Sequence, residues 1–252
     1  MILIFVALKA ESHPIRARLS DRETTPDSGL GGYQGRVAGV PVTLAVTGMG
    51  MRRSRISAAK AMDSLAAIDL VITSGVAGGL RDDLMVGQVV LSERLLTYRD
   101  NDFQPEQIVD PPTEWTGRFV IGLEASGISH AVGPTMTSRR PITTTADKQR
   151  AYLQSGGAIS VDMESAAIAL EAERRGLPFA CMRTILDTAA EEVIGARLID
   201  QNGRVRPMAA AKALITNPWM IIGVARLLKN LRLATNSLAS ALEAVLPRLE
   251  MS

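Results

Sequence analysis

The sequence has 252 residues, 46% of them hydrophobic, 21% charged and 4% aromatic, enough apolar material for one sizeable α/β core and too much for wholesale disorder. A net charge of +2 falls short of the basic stripe expected of a nucleic-acid binder. Two histidines and one cysteine leave no metal-ligand cluster and no internal disulfide, which points to a reducing, cytoplasmic setting.

In chain order, the apolar start "ILIFVAL" (2–8) lacks a basic n-region and a small-residue cleavage site, so it reads as a first strand rather than a signal peptide. Further strands are expected at 42–48, 69–75, 87–93, 157–161 and 179–186, and several of them lack polar alternation, as strands buried on both faces do. Helical spacing occupies about 52–66, 145–155, 163–175 and 208–246, while the polar, proline-containing stretch 99–118 reads as a long loop. The alternation predicts an α/β fold: a single-domain three-layer αβα arrangement over residues 1–252, with a central, mostly parallel twisted sheet and a C-terminal helical region at 208–252. No apolar run reaches the roughly 18 residues of a transmembrane helix. The segment around Arg226, Lys229 and Arg232 has two readings: a core-packing helix with a solvated basic edge, or a basic amphipathic surface in peripheral contact with a membrane or an apolar substrate.

Open α/β sheets bind ligands beyond the carboxyl ends of their strands, and four motifs fall there. Glu11 follows the first strand, where an acid either serves a site or favours a helix dipole. "TGMGMRR" (47–53) places Gly48 and Gly50 in a tight turn, but Arg53 stands where a dinucleotide fingerprint needs a third glycine. Arg52, Arg53 and Arg55 either meet phosphate or form a solvated helix start. "TSGVAGGL" (73–80) closes a strand with Gly75, Gly78 and Gly79, as a plain turn or as a place where backbone approaches a ligand. Asp187 ends an apolar strand as a helix cap or a site residue. In "VDMESAAIA" (161–169), Asp162 suits a helix N-cap, and Glu164 sits in the first turn, where helix amides favour a carboxylate.

Together these motifs resemble the purine nucleoside phosphorylase and uridine phosphorylase superfamily, nearest the methylthioadenosine/adenosylhomocysteine nucleosidases and futalosine hydrolases. The resemblance covers about residues 1–200, and "DMESAA" and "AGGL" are its specific parts. It implies cleavage of the N-glycosidic bond of an adenine nucleoside, with adenine released, water or phosphate as the attacking partner, no cofactor, and a homo-oligomer. Carried over residue by residue, it makes Glu164 the acceptor for ribose hydroxyls, Met163 the floor under the sugar, and Asp187 the acid at the purine. Glu11 becomes the group that orients water, Ala77 and Gly78 lie by ribose and base, Gly50 belongs to the turn near the substrate, and Met136 stands over the base. Leu186 and Val76 replace polar residues of the nucleosidases. With the C-terminal pattern, they resemble the hopanoid-associated phosphorylases, which implies adenosylhopane as substrate. Methylthioadenosine, adenosylhomocysteine and futalosine are the alternatives. Two other classes stay open: a catalytically silent nucleoside-binding regulator, which Glu11, Glu164 and Asp187 together argue against, and a nicotinamide-dependent dehydrogenase, which the missing glycine disfavours.

Overall fold

The computed structural model describes residues 1–25, 32–98, 105–193 and 220–249. Strand β1 (Ile2–Val6) sits at the centre of the sheet's parallel part, paired with β4 (Val40–Val46) on one side and β5 (Leu70–Gly79) on the other. Its unbroken apolar run is explained by burial on both faces. Ile2, Ile4 and Val6 enter one core with α1 (Lys9–Ala17), α3 (Thr113–Ala125) and the C-terminal helix α6 (Met220–Val245), while Leu3 and Phe5 enter the other with α2 (Met51–Ser64) and α5 (Ser165–Arg174). Side chains alternate across a strand, so a strand clad on both sides needs apolar residues at every position.

The expectation of a mostly parallel open sheet is corrected in two ways. Among the described residues, half of the strand pairings are antiparallel, including the edge β2 (Ser20–Thr25), β3 (Gly32–Val37) and β4. Moreover, the other end of the sheet closes on itself: β5 pairs β10 (Phe179–Asp187), which pairs β6 (Val89–Tyr98), then β8 (His130–Thr137), then β9 (Ser160–Asp162), and β9 returns to β5. Register shifts in β10 at 185–187 and in β6 at 92–95 supply the bends that closure requires. The stretch 99–118, expected to be a loop, contains β7 (Pro105–Val109) and the start of α3 in its described part. Its polar composition masks a strand on the outer side of β6 and a helix that buries Trp115 and Phe119. The triple-glycine stretch is no turn: Gly75, Gly78 and Gly79 remain within β5, whose end turns to meet β9 and β10. Helix α4 (Thr145–Gln154) covers the third core cluster, around Tyr98, Met136 and Val161.

The two readings of the C-terminal segment divide along α6, and residues 208–219 of the expected helix lie outside the described residues. The C-terminal half is core: Leu238, Ala241, Leu242 and Val245 are fully buried, and Arg18 of α1 pairs with Glu243 at 3.0 Å. The N-terminal half exposes Ile222, Leu228 and Leu233 beside Arg226, Lys229 and Arg232. Among the described residues, no helix is long and apolar enough to cross a membrane. Leu242→Ala is expected to cost about 2–5 kcal/mol, the usual loss for emptying a packed site, whereas Leu228→Ala stays within about 0.5 kcal/mol. Urea denaturation of the two variants measures both.

Candidate active site

The closed ring surrounds a cation. Arg183, in the middle of the largely apolar β10, is 1% exposed, and its guanidinium is held on every side. Nη2 meets Asp162 Oδ2 at 2.6 Å and donates to Ser165 Oγ at 2.6 Å and Thr73 Oγ1 at 3.2 Å; Nε donates to Ser165 Oγ at 2.8 Å, and Nη1 to the Ser74 carbonyl at 3.0 Å. Asp162 is fixed in turn by the hydroxyls of Thr137 and Ser165 and by the Ser165 amide at 3.1 Å. A buried charge is tolerable only with this degree of pairing and hydrogen bonding. Burial alone would depress Arg183, but Asp162, Cys181, Glu164 and Glu11 outweigh it and hold the guanidinium firmly charged.

Gly75 is what lets the acids approach. Its φ is +146°, and a Cβ there would run into Arg183 Nη1 and stand 2.8 Å from Glu11 Oε1. The arginine and Glu11 therefore meet over a bare backbone. Glu11 lies in the first turn of α1, so both readings of it hold in geometry: Oε2 accepts the Leu8 amide at 2.7 Å, which caps the helix, and Oε1 accepts the Val76 amide at 2.9 Å from β5. Burial raises Glu11 above the usual carboxylate range, while the Val76 amide, Arg183 and the Leu8 amide pull it back.

Helix α5 begins at Ser165 rather than at 163, so Glu164 is its N-cap residue and Met163 precedes it. Asp162 accepts the Ser165 amide, as an N-cap side chain does, from a position still inside β9. Glu164 Oε1 accepts the Gly50 amide at 2.7 Å. Gly50 has φ +94°, the left-handed backbone that turns this N–H onto the carboxyl. Burial first, and repulsion from Asp162 second, push Glu164 up to about 8. Asp187 closes the site from the end of β10. Burial raises it, the Lys148 ammonium pulls it back, and Glu191 adds to the rise.

A pocket of about 200 Å³ is lined by Glu11, Ala77, Gly78, Met163, Glu164 and Asp187, six of the eight residues expected from the sequence. The other two are corrected. Gly50 does not line it; its neighbour Met49 does, and Gly50 acts through its amide on Glu164. Met136 is fully buried in the core cluster with Tyr98, Ala151 and Val161 and does not line it either. The pocket wall near there comes from the next segment, Arg140–Thr143. Arg52, Arg53 and Arg55 line a separate groove, where Arg55 pairs with Glu171 at 2.9 Å. Sequence reasoning missed Arg183, although a lone cation in "FACMRTIL" is a visible anomaly. It also missed Lys148, which sits in the ordinary polar helix "ADKQR". Leu227 and Leu231 of α6, with Leu8, Val76, Leu186 and Val193, give the pocket an apolar side.

The matching family is described as "Phosphorylase superfamily" and covers residues 1–215. A 5'-methylthioadenosine/S-adenosylhomocysteine nucleosidase of Tolumonas auensis is 27% identical over 201 residues, 75% of this chain and 86% of that protein. The nucleosidase of the same name from Colwellia psychrerythraea 34H, solved in complex with adenine, superposes with a TM-score of 0.78 at 21% identity, covering 98% of this chain and 95% of that one. The futalosine hydrolase of Helicobacter pylori gives 0.76 at 18% identity, covering 98% and 97%.

Folding stability carries the mark of the buried acids. Glu164 loses its proton near 4.5 in the unfolded chain and near 8 in the folded one. The folded state therefore holds the extra proton between those values, and stability falls as pH rises through that window. Glu11 and Asp187 shift in the same direction. Glu164→Gln removes part of the slope; urea midpoints of parent and variant at about pH 5 and about pH 8 read it, and equal slopes would show that Glu164 is not the titrating group. Gly75→Ala is expected to cost more than the roughly 1–3 kcal/mol of a strained backbone alone, because the methyl also parts Arg183 from Glu11; thermal denaturation tests it.

Proposed function

The chain belongs to the phosphorylase superfamily, as an enzyme of the nucleosidase and nucleoside phosphorylase class, and from that premise we propose that it releases the base of a purine nucleoside by cleaving the N-glycosidic bond with water. The observation that carries this reading is the convergence of three acids, Glu11, Glu164 and Asp187, on one pocket. Cleavage builds positive charge on the sugar and negative charge on the departing base, and fixed groups complementary to that charge are usually the largest catalytic contribution.

Each acid has a distinct task. Among the described residues, Glu164 Oε2 carries no hydrogen bond while Oε1 is held by Gly50; in the ionised form, which Arg183 and the Gly50 amide favour against burial, the free oxygen accepts from the ribose hydroxyls, with Met163 under the ring. Glu11 takes a proton from the attacking water as oxygen bonds to the anomeric carbon. The carbon–nitrogen bond breaks with its electron pair on the base, and Asp187 gives that base a proton. Burial raises both Asp187 and Glu11, and Lys148 pulls the first back as the Val76 amide and Arg183 pull back the second; carboxyls balanced in this way suit proton transfer. A carboxylate at the attacking side also repels a phosphate dianion, which favours hydrolysis over phosphorolysis.

The relatives named above make methylthioadenosine, adenosylhomocysteine and futalosine the first substrates to offer. A second reading has its own observation: the wall of Leu8, Val76, Leu186, Leu227 and Leu231 favours a large apolar group on the sugar, such as the lipid tail of adenosylhopane. The exposed apolar and basic residues of α6 would then meet a membrane surface. Purified protein is expected to release purine from at least one of these nucleosides, with free sugar rather than sugar phosphate whether or not phosphate is added. Asp187→Asn should lower kcat by about 10²–10⁴-fold, the usual worth of a general acid. Unchanged release by the variant would remove Asp187 from its role, and a methylthioadenosine rate far above that of a lipid-tailed adenosine would remove the second reading.

A further inference from the structure

Lys148 of α4 is completely buried. An interior ammonium is costly unless its three N–H groups all find acceptors, and here they do. Nζ donates to Asp187 Oδ2, to the Thr188 carbonyl at 2.6 Å and to the Glu191 carbonyl at 2.8 Å. Three donors meet three acceptors, so Lys148 has no capacity left for a ligand. Two of the acceptors belong to the turn that leaves β10, and the third is the carboxyl at the pocket. Among the described residues, Asp187 Oδ1 carries no hydrogen bond, and it is the oxygen left for whatever fills the pocket that Asp187 lines.

We propose that Lys148 is the positioning residue for the leaving group: it pins one oxygen and the following turn, leaves the other oxygen to the base, and stabilises the carboxylate formed when the proton departs. The inference rests on the base-releasing reading above. The proton on Asp187 moves to a base nitrogen while the glycosidic electron pair goes to the base; Asp187 ends as a carboxylate beside an ammonium that keeps its three protons throughout. Burial alone makes Asp187 a reluctant donor, and Lys148 works against that burial. A general acid is most effective when its proton is neither too tightly nor too loosely held at the working pH.

The other charges around Asp187 are accounted for by element. Beyond β10, Glu191 accepts the Thr188 amide at 3.1 Å and meets Arg226 of α6 at 3.8 Å, and Glu192 lines the adjoining hollow. Arg140, Glu11, Asp162 and Glu164 line the same pocket, and β5 presents the uncharged Gly78. Among the described residues, Lys148 is the charge in direct contact with Asp187.

The test compares parent, Lys148→Met, Lys148→Gln and Lys148→Arg on a nucleoside that the parent cleaves, with kcat and KM measured across pH. Lys148→Met is expected to lose at least about tenfold in kcat at neutral pH with KM within about twofold. Its alkaline limb should rise by at least about one pH unit, because an adjacent cation lowers a carboxyl by about that much or more. Lys148→Arg should restore much of kcat and return the limb. A limb that stays with the parent, or a KM that rises while the limb does not move, overturns the proposal and leaves Lys148 a structural residue. Carbon-13 NMR of the Asp187 carboxyl, identified by its loss in Asp187→Asn, reads the pair without catalysis. It is expected to titrate higher in Lys148→Gln, which keeps a donor if the methionine variant does not fold; an unchanged titration overturns the pairing. A parent that releases no base while this carboxyl still shifts would instead remove the base-releasing reading.

Discussion

Arg183 sets a permanent positive charge inside a closed ring of strands, where water cannot solvate it. Its partners on the ring, Asp162, Ser165, Thr73 and the Ser74 carbonyl, come from β9, the start of α5, and β5. None of them can move without stranding a charge, and a stranded buried charge costs several kcal/mol. The ring is therefore locked at the level where the pocket opens. Glu11 and Glu164 can be buried in that pocket because the guanidinium offsets part of their mutual repulsion.

The acids are held by backbone as much as by side chains. The Leu8 and Val76 amides fix both oxygens of Glu11, and the Gly50 amide fixes one of Glu164. Amides of strands and turns do not change rotamer, so they hold the carboxyl groups in fixed places. That is the preorganisation on which charge stabilisation in a reaction depends. Two irregularities of the fold serve the same end. The bulge at the end of β10 swings Asp187 opposite Gly78, and the turn at Gly50 aims one N–H at Glu164.

Much of this was legible in the sequence where burial is uniform. β1, β4, β5, β6, β9 and β10 announced themselves as apolar runs, and α2, α4, α5 and α6 through helical spacing. Most of the elements that stayed hidden have mixed surroundings, and β8, interrupted by Gly133 and Pro134, was missed as well. β2 and β3 read "SDRETT" and "GYQGRV", a polar edge pair, and β7 and α3 lie within a proline-rich stretch. Ring closure was also hidden, because antiparallel pairing and register shifts are decided by tertiary contacts rather than by any local period. Of the site, the acids stood out because carboxyls beside buried strands are conspicuous. Lys148 did not, since a lysine in a polar helix looks solvated until the carboxyl it meets is known. Met136 was placed by order along the chain, and the alternation of β8 turns it into the core instead.

Among the described residues, every charged group lining the pocket lies within residues 1–215, the part shared with the superfamily. Helix α6 begins at Met220, beyond that part, and contributes Leu227 and Leu231 and no charge to the wall. The charges of the pocket and the α6 part of its apolar wall thus reside on separate lengths of chain, while Leu8, Val76, Leu186 and Val193 complete that wall from the shared part. Such a division allows the apolar wall to be reshaped by changes in a single helix while the buried ion pairs stay as they are.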